Sequence, residues 1–493
     1  MGTIIIEKIE TIKMVKKIRK KSQFVYQKIV DDISNQILKG ILKPGDKLPP
    51  VRKLSKDLGV SINTILSSYL KLENIGLVEA KPQSGYFVRS RTERILPEVE
   101  ILTLETAIKT YKSDELVSNV HELAQIPEMV SLGAGVPSVD MLPAKKINRI
   151  VGSIIHNSEI AGLLYEFPPG YYKLRREVAK RSITWGGKVS PDEVIITSGA
   201  TEAIVLALKA VAKPGDTIVT ESPSFYLLFQ LIKDLGMNIL EVPTHPRDGI
   251  EIGALRKVLK SHNVSACVIY PTVNNPLGSI MPEERRKELY DLLASKDIPL
   301  IEGDVWGELH FEHHRPKPIK ALDDKGIVLY FSSVTKTGLP GYRIGWICPG
   351  RYYKKVKDLK YMYSVATSAL SQIAVSEFMK SGGYEKSIKN LQNIYSSRLS
   401  VLSQYVSEFF SEGTKISRPK GGAFLWVEMP KTVNSIRLQE LAFRKNISIN
   451  PGPLFSTTEN FSNYIRLSAA CSWSPRIIED TIRTLGDICK SLM

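Results

Sequence analysis

Phe331-Ser332-Ser333-Val334-Thr335-Lys336-Thr337-Gly338-Leu339-Pro340-Gly341-Tyr342-Arg343-Ile344-Gly345 is the stretch on which the reading of the fold turns. It grows out of an apolar run, Ile327 to Phe331, that reads as a buried parallel strand. The run breaks into small hydroxyl residues, then one lysine, then a Gly/Pro turn carrying an arginine. That order sets an amine beside an anion site: Lys336 can form an imine, and Ser333 and Arg343 can hold a phosphate. A solvated lysine after a strand is the alternative reading of the same residues.

Working outward, strand-like runs alternate with helical patterns from about residue 128 to the end, which predicts an α/β fold with a mainly parallel central sheet. The expected strands are 194–197, 217–220, 266–270, 300–302, 328–331 and 344–347. Ligands in such sheets sit at the strand carboxyl ends, and the residues with chemistry fall there. The first strand runs into Ser198-Gly199-Ala200-Thr201-Glu202-Ala203, a helix start whose small residues let backbone amides approach an anion. An ordinary strand-to-helix turn would look similar. The second strand leads to Phe225, which can lie against a flat aromatic ring or simply fill the core. The third leads to Asn275, whose amide can donate to a phenolic oxygen or serve the turn before Pro276. The fourth delivers Asp304, a carboxylate that must be paired if buried; a protonated pyridine nitrogen or a structural cap would each serve.

These five segments, in this order, resemble the fold-type I pyridoxal-phosphate proteins, the aspartate aminotransferase superfamily, over nearly all of 128–493. The resemblance implies that pyridoxal 5'-phosphate (PLP) is bound, that Lys336 joins it as an imine and that Asp304 pairs with its pyridine nitrogen. Asn275 would hold the ring hydroxyl and Phe225 would stack on the ring. Gly199, Ala200, Thr201, Ser333 and Arg343 would cradle the phosphate. Tyr165, in Leu164-Tyr165-Glu166-Phe167-Pro168-Pro169-Gly170, matches the tyrosine that reaches a partner's cofactor phosphate. Arg466, in Tyr464-Ile465-Arg466-Leu467 and after Gly421-Gly422-Ala423-Phe424, matches the arginine that grips an amino-acid carboxylate. Two positions depart from the pattern. Trp306 stands where the family has a tyrosine bonded to the ring hydroxyl, and an indole N–H donates but cannot ionise. Leu277 replaces the threonine of Asn-Pro-Thr-Gly. Both weigh against efficient transamination. His310, His313 and His314 fall like a loop without zinc-ligand spacing, so no metal is expected.

The chain has 493 residues, too many for one core, so two or more domains are expected. With 43% apolar and 24% charged residues it is of ordinary globular composition. No run approaches the length of a membrane helix. The N-terminus lacks a secretory pattern, because Glu7 and Lys8 interrupt its apolar run. The four cysteines are scattered without a CxxC, which fits a reducing cytoplasm. Of the net charge of +16, residues 1–90 hold +9, from 17 Lys/Arg against 8 Asp/Glu. A polyanion partner such as nucleic acid would explain a basic end, and so would a solvated basic tail.

The pattern of 23–90 favours the first. Val25, Ile29, Ile33 and Ile37 predict a helix over 24–39, a second is expected at 51–58, and Ser61 caps a third over 62–75. Residues 77–80 and 86–89 read as a hairpin. Helix, helix, turn, helix and hairpin is a winged helix-turn-helix plan whose third helix enters the major groove. Pro44-Gly45-Asp46, Leu48-Pro49, Arg52, Leu54, Leu58, Val60-Ser61, Asn63-Thr64 and Gly85-Tyr86-Phe87-Val88 resemble the DNA-binding domain of the GntR regulators. The resemblance implies DNA contacts from Arg52, Ser61, Asn63, Thr64 and the wing around Gly85. Ile62 stands where that family usually has an arginine, which removes the usual guanine reader. Helix-start chemistry is the plainer role for Asn63 and Thr64.

The expected division is a basic extension (1–22), the winged helix (23–90), a partly helical linker (91–127) with helix across 114–124, and the aminotransferase-like domain (128–493). A GntR-type winged helix joined to an aminotransferase-like domain is the layout of the MocR subfamily of transcriptional regulators. That resemblance implies a PLP-dependent regulator, homodimeric and head-to-tail, that binds a double-stranded DNA operator and senses an amino compound or PLP itself. A working aminotransferase carrying a DNA-binding domain is the alternative. An inert aminotransferase fold serving only as a dimerisation platform is a third reading.

Overall fold

β-Branched and apolar runs too short to fold alone line up as neighbouring strands in the computed structural model of the chain. It describes residues 26–493 except 27, 35, 38–40, 44, 75–76, 82–83, 89–95, 103–106, 110–115, 119–121, 123–125, 127–128 and 158–161. The expectations for 1–22 lie outside the described residues. Two compact units are present: Met1–Ile95 with Ser400–Glu408, and Leu96–Leu399 with Phe409–Met493.

In the first unit, α1 is helical at 28–34 and 36–37, and is followed by α2 (Val51–Leu58) and α3 (Ile62–Asn74). Pro50 stands just before α2, and Gly59 ends the helix in the left-handed conformation that glycine adopts without strain. Ile29, Val30, Ile33, Ile65, Tyr69 and Leu72 close the core. The Tyr69 hydroxyl, carried into that core, donates to the carbonyl of Pro49 at 2.7 Å. β1 (Val78–Lys81) and β2 (Gly85–Val88) pair antiparallel as the wing.

The second unit is built on one sheet. Its main strands are β3 (Ile108–Lys109), β4 (Ile195–Thr197), β5 (Thr217–Ser222), β6 (Asn238–His245), β7 (Ala266–Ile269), β8 (Leu300–Gly303), β9 (Val328–Ser333) and β10 (Gly345–Cys348), in the order β3-β6-β5-β7-β8-β9-β10-β4. From β6 to β9 all pairs are parallel; β10 runs antiparallel to both β9 and β4. Successive residues point to opposite faces. Ile218, Ile239, Val268, Ile301 and Leu329 face one core, and Val219, Leu240, Cys267, Leu300 and Val328 face the other. A smaller antiparallel sheet joins β11 (Lys415–Ile416), β12 (Phe424–Glu428), β13 (Asn450–Pro451) and β14 (Tyr464–Ser468) in the order β11-β12-β14-β13.

β6 escaped the sequence reading because Glu241, Pro243 and His245 interrupt its apolar pattern. The fold buries Glu241 all the same, and its carboxylate accepts from the Ser456 hydroxyl at 3.0 Å and the Thr457 amide at 2.8 Å. Part of the expected linker also belongs to this unit. Ile108 and Lys109 pair with β6, and Val99 and Val117 are buried in one of the two cores. Of the helix expected over 114–124, residues 116–118 and 122 are helical, and the others lie outside the described residues. All four cysteines are buried and free. Among the described residues no helix is long and apolar enough to cross a membrane.

Candidate functional site

The carboxyl ends of β4, β5, β7, β8 and β9 deliver the expected residues, and the sheet's register brings three of the groups together. Ser333 on β9 pairs with Gly345 on β10, which pairs in turn with Thr197 on β4. At Gly345 a Cβ would lie 2.6 Å from the backbone of Gly199, so glycine allows this close approach. The same closeness brings the Arg343 guanidinium to Gly199, where a Cβ would meet its Nη2 at 2.6 Å. Nη2 donates to the Ser198 carbonyl at 3.3 Å.

Gly199 precedes helix α4 (Ala200–Val211), whose N-terminus has no side-chain cap. Its first amides, those of Ala200 and Thr201 among them, are the unsatisfied donors every helix start leaves. Glu202, one turn in, does not fill that space. It accepts from the Ser198 amide at 2.7 Å and from the buried Lys360 amine at 2.8 Å. Ser333 is buried, and its hydroxyl accepts from the Thr335 amide at 3.3 Å.

Lys336 is half-buried. Its amine donates to the Gly135 carbonyl at 2.6 Å and lies 5.6 Å from the centre of the Trp306 ring. Burial, then the charges of Arg466 and Arg343, bring its pKa down to about 8. Trp306 itself is buried, edge-on to Phe424 at 4.9 Å between ring centres.

Asp304 is almost wholly buried. One oxygen, Oδ2, accepts from the Arg315 guanidinium and from the Tyr330 hydroxyl, the latter at 2.6 Å. The other, Oδ1, is buried and has no hydrogen-bond partner. Burial raises the Asp304 pKa, while Arg315 and Tyr330 pull it down. Arg315 also faces Glu308, which pairs with Arg181 at 3.0 Å. Neither Arg315 nor Tyr330 was expected from the sequence. Tyr330 lies within β9, on the strand next to the one that delivers Asp304, so its signal was present in the strand pattern. Arg315 lies in the loop where the histidines drew attention: His310 is buried, His313 and His314 are exposed, and no metal-holding cluster occurs among the described residues.

Arg466 on β14 is buried. Its Nη1 donates to Asn275 Oδ1 at 2.9 Å and its Nη2 to the Gly133 carbonyl at 2.7 Å. Nε is buried without a partner. The guanidinium lies 4.0 Å from the centre of the Phe424 ring and 5.1 Å from that of Phe455. Burial lowers its pKa to about 10. Phe225 is half-buried at the start of the helix after β5, 4.8 Å from Tyr226 ring to ring. Tyr165 is 72% exposed and packs on Phe167 at 5.4 Å.

In the first unit Arg52, Ser61, Asn63 and Gly85 are exposed and Thr64 is half-buried. The Ser61 hydroxyl caps α3 by accepting from the Thr64 amide at 3.1 Å, and it lies 2.8 Å from the Thr64 hydroxyl. Ser61 and Thr64 therefore do serve the helix start. Gly85 has φ +105°, and a Cβ there would sit 3.4 Å from the Lys47 side chain.

Comparison with known proteins agrees with both halves. Residues 127–483 match the family Aminotransferase class I and II, and 25–88 match Bacterial regulatory proteins, gntR family. YdcR, an uncharacterized HTH-type transcriptional regulator of Escherichia coli (strain K12), is 33% identical over 466 residues, 94% of this chain and 98% of that protein. Pyrococcus horikoshii kynurenine aminotransferase, solved with PMP, kynurenine and its product, superposes with a TM-score of 0.71 at 28% identity, over 77% of this chain and 95% of that one. LysN, the alpha-aminoadipate aminotransferase of Thermus thermophilus, solved with N-(5'-phosphopyridoxyl)-L-leucine, gives 0.69 at 25% identity over 77% and 99%. A gntR-type helix-turn-helix domain joined to a class I and II aminotransferase fold places this chain in the family of MocR-type regulators.

Proposed function

We propose that this protein is a PLP-binding transcriptional regulator of the cytoplasm, which holds operator DNA with its winged helix and senses an amino compound, or PLP itself, in its second unit. The observation that carries the reading is the unpartnered, buried Asp304 Oδ1 in the same site as a lysine amine of lowered pKa. A buried carboxylate oxygen left without a donor is costly, and the N–H of a protonated pyridine is a donor of the right kind.

The remaining residues fit the group as well. The open start of α4, with Gly199, Ala200, Thr201, Ser333 and Arg343, would hold its phosphate. Asn275 and Trp306 would face the ring's polar edge and Phe225 its flat side. PLP, when bound, supplies an electrophilic carbonyl carbon that an amine can attack. Lys336, with its pKa near 8, presents a neutral amine at ordinary pH far more often than a free lysine does. Arg466, with Nε unpartnered, would grip an effector carboxylate against Phe424 and Phe455.

A second copy of the chain, head to tail, completes this reading. Leu163, Leu164, Tyr165 and Phe167 are all more than half exposed on one loop, an apolar surface that a partner would cover, with Tyr165 reaching that partner's phosphate site. An effector would change operator affinity only by the difference in its binding energy between the two arrangements of the protein.

The visible spectrum of the full chain with PLP, titrated with a panel of amino acids alongside operator binding, tests this. A cofactor band absent from Lys336→Ala, and an amine that alters both spectrum and DNA affinity, are expected. DNA affinity indifferent to every amine that alters the spectrum would overturn the sensing role. Repeated turnover of an amino acid with a keto acid, lost in Lys336→Ala, would instead favour a working aminotransferase, whose chemistry the presence of Lys336, Asp304 and Arg466 allows.

A further inference from the structure

The outer face of α3 is apolar where a DNA-reading helix is ordinarily basic. Ile62, Leu66 and Leu70 recur at four-residue spacing and are 50%, 38% and 44% exposed. They are not core residues displaced outward, because the core face of the same helix is already filled by Ile65, Tyr69 and Leu72, each fully buried. Asn63 and Ser67, beside the stripe, are exposed too. Between Lys56 and Lys71 there is no lysine or arginine at all. The basic groups sit on neighbouring elements instead: Arg52, Lys53 and Lys56 are exposed on α2, and Lys47 lies beside the wing, 5.6 Å from the Phe87 ring centre.

Resting on the DNA-binding reading above, we propose that α3 recognises T·A base pairs through thymine methyl groups, with Ile62 and Leu66 as the specificity-determining residues. The major groove offers one apolar group, the C5-methyl of thymine, and guanine's acceptors call for the cationic fork that this face lacks. Asn63, between the two apolar residues along the helix, presents an amide that can pair with N6 and N7 of adenine. Adenine is thymine's partner, so both modes of reading select the same base pair. The cations of α2 and the wing are left to hold phosphates, which position the domain without choosing a sequence. Charge complementarity thus orients the apolar stripe toward the groove floor rather than toward another protein.

The test uses the full chain with PLP and a library of random duplexes. Selected sites are expected to carry thymine at the positions next to α3. Replacing each such thymine by uracil, which removes only the methyl, should weaken binding about fourfold, the worth of one buried methyl group. Leu66→Ser should abolish that uracil effect at one position, and Ile62→Arg should shift the preference at another to guanine. Both side chains are exposed, so neither change threatens the fold. Guanine selected by the unaltered protein, or uracil tolerated at every position, overturns the proposal while leaving DNA binding intact. If Leu66→Ser dissociates an oligomer in sedimentation and duplex affinity is unchanged, the face belongs to a second copy and the proposal fails. Absence of binding to any duplex would overturn the DNA-binding reading itself.

Discussion

The Lys336 site and the outer face of α3 are opposites. Around Lys336 several buried polar groups are already held: Arg466 by Asn275 and Gly133, Asp304 Oδ2 by Arg315 and Tyr330, Glu202 by Ser198 and Lys360. Among the buried atoms left without a partner are Asp304 Oδ1 and Arg466 Nε, and burial makes that costly. On α3, Ile62, Asn63, Leu66 and Ser67 lie in solvent, where an unpaired group costs little. The first region is organised before its ligand arrives, and the second becomes organised only when a ligand covers it. Pre-organisation of that kind suits a small molecule bound by two or three points, whereas a long polyanion can be held first by charge and read afterwards.

The contrast breaks most sharply at Arg315. Arg315→Met would leave Asp304 without its buried cation, and removing one member of such a pair costs roughly 3–5 kcal/mol. Chemical denaturation of the second unit should show a loss of that size, and an unchanged midpoint would mean that the ion pair does not hold the site. Next comes Arg466→Lys. A lysine cannot make the two-pronged contact, so affinity for a carboxylate effector should fall roughly 10- to 100-fold while the cofactor band persists. Titration followed at that band reads it directly, and retained affinity would take Arg466 out of effector binding.

The pH dependence of cofactor capture sharpens the same side. With the Lys336 pKa near 8, the neutral amine is a minor species at pH 7 and dominant at pH 9, so the rate of PLP attachment should rise about tenfold across that range. The sign for stability follows from the same shift. The folded pKa lies below that of the unfolded chain, so the unfolded state binds more protons between about pH 8 and 10.4. Stability of the cofactor-free protein therefore rises with pH through that window, and Lys336→Met should flatten the rise. The smallest effect belongs to the other region. Ser61→Ala removes the cap on the Thr64 amide and should cost the first unit about 1 kcal/mol. If operator affinity falls by more than that loss of folded domain explains, Ser61 also touches DNA.

Much of the site was legible because its residues mark strand ends. Six strands announce themselves as apolar runs; Gly199, Asp304 and Lys336 come soon after strand ends, and Arg343 comes just before β10. Arg315 was not legible, since nothing local says that a loop arginine eleven residues beyond Asp304 folds back onto its carboxylate. β6 was missed for a related reason: Glu241 makes sense inside a strand only once Ser456 and Thr457, more than two hundred residues away, supply its donors. On α3 the sequence already showed that arginine is missing at position 62. That Leu66 and Leu70 share the exposed face, while Ile65 and Tyr69 do not, required the packing of α1 and the wing.

By itself the sequence determined the alternation of strands and helices, the lysine and its anion-binding neighbours, and the helix-turn-helix plan, because each is written in contiguous residues and in short-range geometry. Only the tertiary structure decided which polar groups are paired and which are left waiting. Pairing depends on groups brought together from distant parts of the chain, and burial, which sets the cost of going unpaired, belongs to the folded whole.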